Sequence, residues 1–177
     1  MDDIVRAALK KWPNVPDCYD WLALDARGDW FMRDDRIQAA GPFPLVKGSR
    51  IEHDKLKEFI QRNCDHDDRG AWFFQNGPQR VYLTLEAAPW VWGVRRGDAG
   101  FELDAHTGAV VGQVHHTFVD EFGRLFLETD LGLGVLRPMD MDVAADALLA
   151  GVWPEPEEVD FATLPARFGY VIRPVKA

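Results

Sequence analysis

Apolar and polar positions follow two different periods along this chain. Asp2 to Lys11 sets Ile4, Val5, Ala8 and Leu9 on one helical face, with acids leading and lysines trailing, which complements the helix dipole. Pro13 and Pro16 end that helix. Ile51 to Cys64 carries Leu56, Phe59 and Ile60 at helical spacing, with Ile51 placed to staple the entry. Asp140 to Ala150 predicts a third helix, rich in Ala and Leu, with acids in its first turn and Gly151 as its stop. Elsewhere the period drops to two. Val81, Leu83 and Leu85 alternate with Tyr82 and Thr84 as a strand does. Trp21 to Leu24 and Trp30 to Met32 read as the arms of a hairpin, and Trp90 to Leu136 reads as a β-meander. The proline-rich remainder is expected to wrap the body, with Phe168 to Ile172 as an edge strand.

A block recurs within this pattern. Asp25-Ala26-Arg27-Gly28-Asp29-Trp30-Phe31-Met32 returns as Asp67-Asp68-Arg69-Gly70-Ala71-Trp72-Phe73-Phe74. A looser copy is Asp120-Glu121-Phe122-Gly123-Arg124-Leu125-Phe126-Leu127. Each is a polar turn closed by Gly and followed by an apolar run. Gly reaches positive φ without a Cβ clash, and the run after it suits a half-buried strand. Gly28 and Gly70 are thus expected at equivalent turn positions of two hairpins. The fold class that follows is α+β, with antiparallel hairpins forming a curled sheet or partial barrel with two or three helices. The 177 residues suit one compact domain, 1–177, or two tightly joined lobes, 1–65 and 66–177.

Composition narrows the class of function. The formal charge of −9 and the lack of a basic stripe disfavour nucleic acid and membrane surfaces as partners. Cys18 and Cys64 are too few for a disulfide framework, the start Met1-Asp2-Asp3 does not resemble a signal peptide, and no apolar run is long enough to span a bilayer. A cytoplasmic protein with reduced thiols is expected.

One long run resembles a known group. It comprises the hairpin Gly28 to Met32, the helix Leu56 to Arg62, the block Asp67 to Phe74 and the run Arg80-Val81-Tyr82-Leu83-Thr84-Leu85-Glu86-Ala87-Ala88-Pro89-Trp90. It resembles bacterial proteins of unknown function with pleckstrin-homology-like domains, and an uncharacterised, mainly proteobacterial set of hypothetical proteins. The similarity covers about residues 20 to 150, and its motifs are structural. It implies an α+β fold and a regulatory role, and it supplies no catalytic residues. Glu86-Ala87-Ala88-Pro89 departs from a tighter acid-Ala-Pro pattern by one residue.

Three clusters bear chemistry in principle. Cys64-Asp65-His66-Asp67-Asp68 holds the parts of a nucleophilic or metal site, but the acids stand where a turn wants Asx caps. His115 and His116, if on a strand, point to opposite faces and cannot share one ion. Asp140-Met141-Asp142 opens a helix, where carboxylates favour the dipole. HExxH, CxxC, phosphate-cradling glycine loops and GxSxG are all missing. No metal, cofactor or catalytic residue is assigned.

Three functions are thus weighed. The first is a non-catalytic binding or regulatory module with an aromatic-lined groove for a protein, peptide or small molecule. Its expected groove residues are Trp72, Phe74, Arg80, Tyr82, Trp90 and Trp92. The second is a small enzyme using Cys64 and His66 with nearby acids, or His115 and His116. The third is a structural homo-oligomer whose surplus aromatics form an interface.

Overall fold

The computed structural model describes residues 1–176, which divide into two compact units. The first unit comprises residues 1–25, 29–86 and 169–177, and the second 26–28 and 87–168. Each is built on a six-stranded sheet that does not close into a barrel, and the class is α+β.

The first unit runs α1 (Asp3–Lys11), β1 (Cys18–Leu24), β2 (Trp30–Met32), α2 (Asp35–Ala40), β3 (Ser49–Arg50), α3 (Asp54–Arg62), β4 (Cys64–His66), β5 (Trp72–Asn76) and β6 (Gln79–Leu85). Its strand order is β3-β2-β1-β6-β5-β4. Every neighbouring pair is antiparallel except β1 with β6, so two antiparallel ribbons are joined by one parallel seam. The second unit runs β7 (Trp90–Gly97), β8 (Gly100–Ala105), β9 (Val114–Asp120), β10 (Leu125–Thr129), β11 (Gly132–Leu136), α4 (Met141–Leu149), β12 (Glu157–Val159) and α5 (Leu164–Phe168). Its order is β12-β9-β10-β11-β7-β8. The expected meander is two pieces: β7 pairs in parallel with β11, and β8 does not pair with β9.

The three helices read from the sequence are present as α1, α3 and α4. The short α2 and α5 have too few turns to show a helical period. Phe168 to Ile172 is not a strand: Phe168 ends α5, and single bonds tie Val171 N to Gly70 O and Leu85 N to Ile172 O.

The repeated block is one turn used three times. In the second copy Asp67 N donates to Ala71 O at 3.0 Å, and Ala71 N returns a bond to Asp67 Oδ1 at 3.0 Å. Asp25 with Asp29 and Asp120 with Arg124 repeat both bonds. The glycine before the closing residue has φ of 87° in Gly28, 77° in Gly70 and 75° in Gly123, the left-handed region an L side chain resists. Each turn joins an antiparallel pair: β1–β2, β4–β5 and β9–β10.

Candidate functional site

A cleft of about 360 Å³ opens on one face of the first sheet. Cross-strand register aligns Cys18 with Val81 and Val81 with Phe74, while Leu22 pairs with both Leu83 and Met32. Leu22, Ile51, Ile60 and Phe74 are buried members of the lining. Ile37 of α2 and Leu56 and Phe59 of α3 also line it, with Phe59 edge-on to Phe74 at 5.6 Å. Three large apolar side chains remain accessible: Trp21 is 43%, Met32 53% and Leu56 38% exposed.

A bulge in β1 contributes to this. Between Cys18 and Leu22 the strand advances four residues while β6 advances two, and Asp20 sits at φ 61°. Partial burial works against the Asp20 charge, but bonds from Arg173 Nη2 at 2.6 Å and Thr84 Oγ1 at 2.8 Å prevail and hold its carboxyl below the usual range. Broken alternation lets both Trp21 and Leu22 line the cleft.

The polar members of the lining are Asp34, Ser49, Asn76 and Gln79. Asp34 caps α2, its Oδ1 accepting from Ile37 N at 3.0 Å, and that bond keeps its carboxyl below the ordinary range. Gln79 Nε2 donates to Pro16 O at 2.9 Å, which fixes the amide through its nitrogen.

The expected groove residues do not come together. Phe73 pairs with Tyr82 and Phe74 with Val81, so Phe74 and Tyr82 lie on opposite faces of the sheet. Phe74 is the one expected residue that lines the cleft. Tyr82 is buried with Phe73, stacks on Tyr19 at 4.9 Å and donates to Asp67 Oδ2 at 3.2 Å. Arg80 lies over the Phe73 ring at 4.4 Å. Trp72 is half-buried against the His66 ring at 5.3 Å. Trp90 and Trp92 belong to the second unit and stack at 5.7 Å. Trp92 is fully buried there, its Nε1 donating to Leu127 O at 2.9 Å. The residues that build the cleft instead, Trp21, Met32, Leu56 and Phe59, appear in the sequence only as strand and helix faces.

Burial, aided by the Asp65 charge, pushes the Cys64 thiol up to about 12, the reverse of an activated nucleophile. His66 Nδ1 lies 3.2 Å from Asp67 O. His115 Nε2 approaches Asp130 at 3.5 Å and His116 Nδ1 approaches Glu128 at 2.7 Å, so the two rings have separate partners. Desolvation lowers His106 to about 4, and its Nδ1 accepts from Val91 N at 3.3 Å. Among the described residues no group of three or more His, Cys, Asp and Glu is placed to hold a metal ion. A larger cavity of about 600 Å³ in the second unit includes Arg95, Glu102 and Asp104, which already pair with one another.

The fold and cleft belong to a chain of an uncharacterised family. It matches, over residues 1–175, the model of the family DUF2944, described as "Protein of unknown function (DUF2946)", and it belongs to that family. No curated protein matches it. Among solved structures it is similar to a DUF1285 family protein from Shewanella baltica OS155, crystallised at 1.40 Å resolution. The identity is 15% and the TM-score 0.47, covering 71% of this chain and 91% of that one. No helix among the described residues is long and apolar enough to cross a membrane.

Proposed function

We propose that this protein is a non-catalytic binding module whose site is the apolar cleft of the first unit. One observation carries the reading: a preformed hollow of about 360 Å³, floored by buried side chains, leaves Trp21, Met32 and Leu56 accessible at its mouth. Ligand clefts typically hold about 300–1,000 Å³, are mostly apolar and contain few polar groups, as here. The high pKa of the Cys64 thiol weighs against the enzyme alternative. We also infer a regulatory role in the cytoplasm, within a bacterial, mainly proteobacterial set of pleckstrin-homology-like proteins. Its support is the block Asp67 to Phe74 followed by Arg80 to Trp90.

The test uses Nile red, an uncharged apolar dye. It should bind the whole chain with enhanced emission, and Met32→Glu or Leu56→Glu should weaken binding at least tenfold. Both positions are exposed, so melting temperatures should barely move. Dye binding that ignores both substitutions would remove the cleft as the site.

A further inference from the structure

The cleft is not neutral in its recognition chemistry. Among the described residues its one charged lining residue is Asp34, an acid. Lys55 and Lys57 belong to α3, but neither lines the hollow. Arg36 approaches Asp34 Oδ2 at 3.4 Å, yet its side chain is 92% exposed, where solvent screens its charge strongly. The Asp34 carboxylate retains acceptor capacity beyond its bond from Ile37, because each carboxylate oxygen offers more than one lone pair. Gln79 spends an N–H on Pro16 O, while the exposed Ser49 hydroxyl and the Asn76 amide can each donate or accept, so Asp34 alone sets the sign of the edge. An apolar hollow with one carboxylate at its edge suits a ligand that is apolar at one end and cationic at the other. The net charge of −9 adds a long-range bias against anions.

We propose that the cleft selects small apolar ligands with a cationic, hydrogen-bond-donating head, alkylammonium compounds rather than alkyl carboxylates. This rests on the cleft being a ligand site. The chain of the ligand lies on Met32, Phe74 and Leu56, and its head meets Asp34.

A matched series tests it: decylamine, decanol and decanoate, each below its micellar concentration, titrated calorimetrically against the full chain. An exposed ion pair is worth up to about fivefold in affinity. Attraction gained and repulsion avoided together should favour decylamine over decanoate by about tenfold, with decanol between. Asp34→Asn keeps a good helix cap but removes the charge, so it should reduce that preference to about twofold or less with an unchanged melting temperature. Ser49→Lys, at an exposed position, should reverse the order. Equal affinities for the three ligands, unmoved by Asp34→Asn, would overturn the head selectivity while leaving the cleft as a site. Failure of all three to bind would overturn the cleft reading itself. A native mass of two chains that falls to one on Met32→Glu would assign the face to self-association and overturn the proposal.

Discussion

The two sheets solve the same problem differently. Each has six strands; the first has one parallel seam between strands distant in sequence, β1 with β6, and the second has two, β7 with β11 and β9 with β12. In the second unit α4 presents Ala144 and Ala147, both fully buried, to a core of Trp92, Leu125, Leu127, Leu136 and Trp153. Small residues let a helix approach closely, and the strand aromatics become core. In the first unit α3 presents bulky Leu56, Phe59 and Ile60, of which only Ile60 is fully buried. The result is a hollow between helix and sheet. Whether a strand aromatic is core or site thus depends less on the strand than on the helix that covers it.

Paired substitutions test this contrast, and tryptophan gives the largest effect. Trp92→Ala removes a fully buried ring and the donor to Leu127 O, and should cost about 4 kcal/mol in urea unfolding. Trp21→Ala, at a 43% exposed position, should cost about 1 kcal/mol or less. Comparable losses at the two sites would mean that Trp21 is core and that the cleft is a packing feature.

Glycine comes next, because the same turn sits in different surroundings. A Cβ on Gly70 would collide with the backbone oxygen of Gly169, in addition to the strain of φ 77°. Gly123 has nearly the same φ, 75°, with open space around its missing Cβ. Gly123→Ala should cost about 1 kcal/mol from backbone strain alone. Gly70→Ala should cost about 3 kcal/mol, since backbone atoms must shift to admit the methyl group. Equal melting temperatures for the two variants would show that the segment after Gly169 yields without cost.

The sequence exposed what is local in this fold. The Asp-x-x-Gly turns are legible because both the side-chain cap and the positive φ depend on residues within five positions. The periods of α1, α3 and α4 are local in the same sense. The parallel seams of β1 with β6 and β7 with β11 are not, since nothing in Leu22 or Val91 names a partner about sixty or forty residues away. The cleft is hidden from the sequence for the same reason. Aromatic density pointed to the strands from Trp72 to Trp92, but alternation divides Phe74 from Tyr82, and α4 covers Trp92. Trp21 reached the surface through a bulge at Asp20, stabilised by Arg173 from the far end of the chain.

The smallest effects belong to the arginines of the repeated turns. Arg69 bonds Asp67 at 2.9 Å, but its side chain is 51% exposed and the Asp67 carboxylate also accepts from Ala71 N and Tyr82 Oη. Arg124 bonds Asp120 at 2.7 Å with 23% of its side chain exposed, against a carboxylate side chain that is fully buried. Its guanidinium also lies 4.2 Å from the Phe161 ring centroid and 5.6 Å from that of Phe126. Removing it takes away cation–π contacts and the charged partner of a buried acid, so Arg124→Ala should cost about 1–2 kcal/mol. Arg69→Ala loses a screened ion pair and should cost about 0.5 kcal/mol or less. Adding 1 M NaCl should narrow the Arg69 difference further and leave that of Arg124 largely intact, because only the exposed pair is screened by salt. A larger loss at Arg69 than at Arg124 would mean that exposure does not rank these ion pairs.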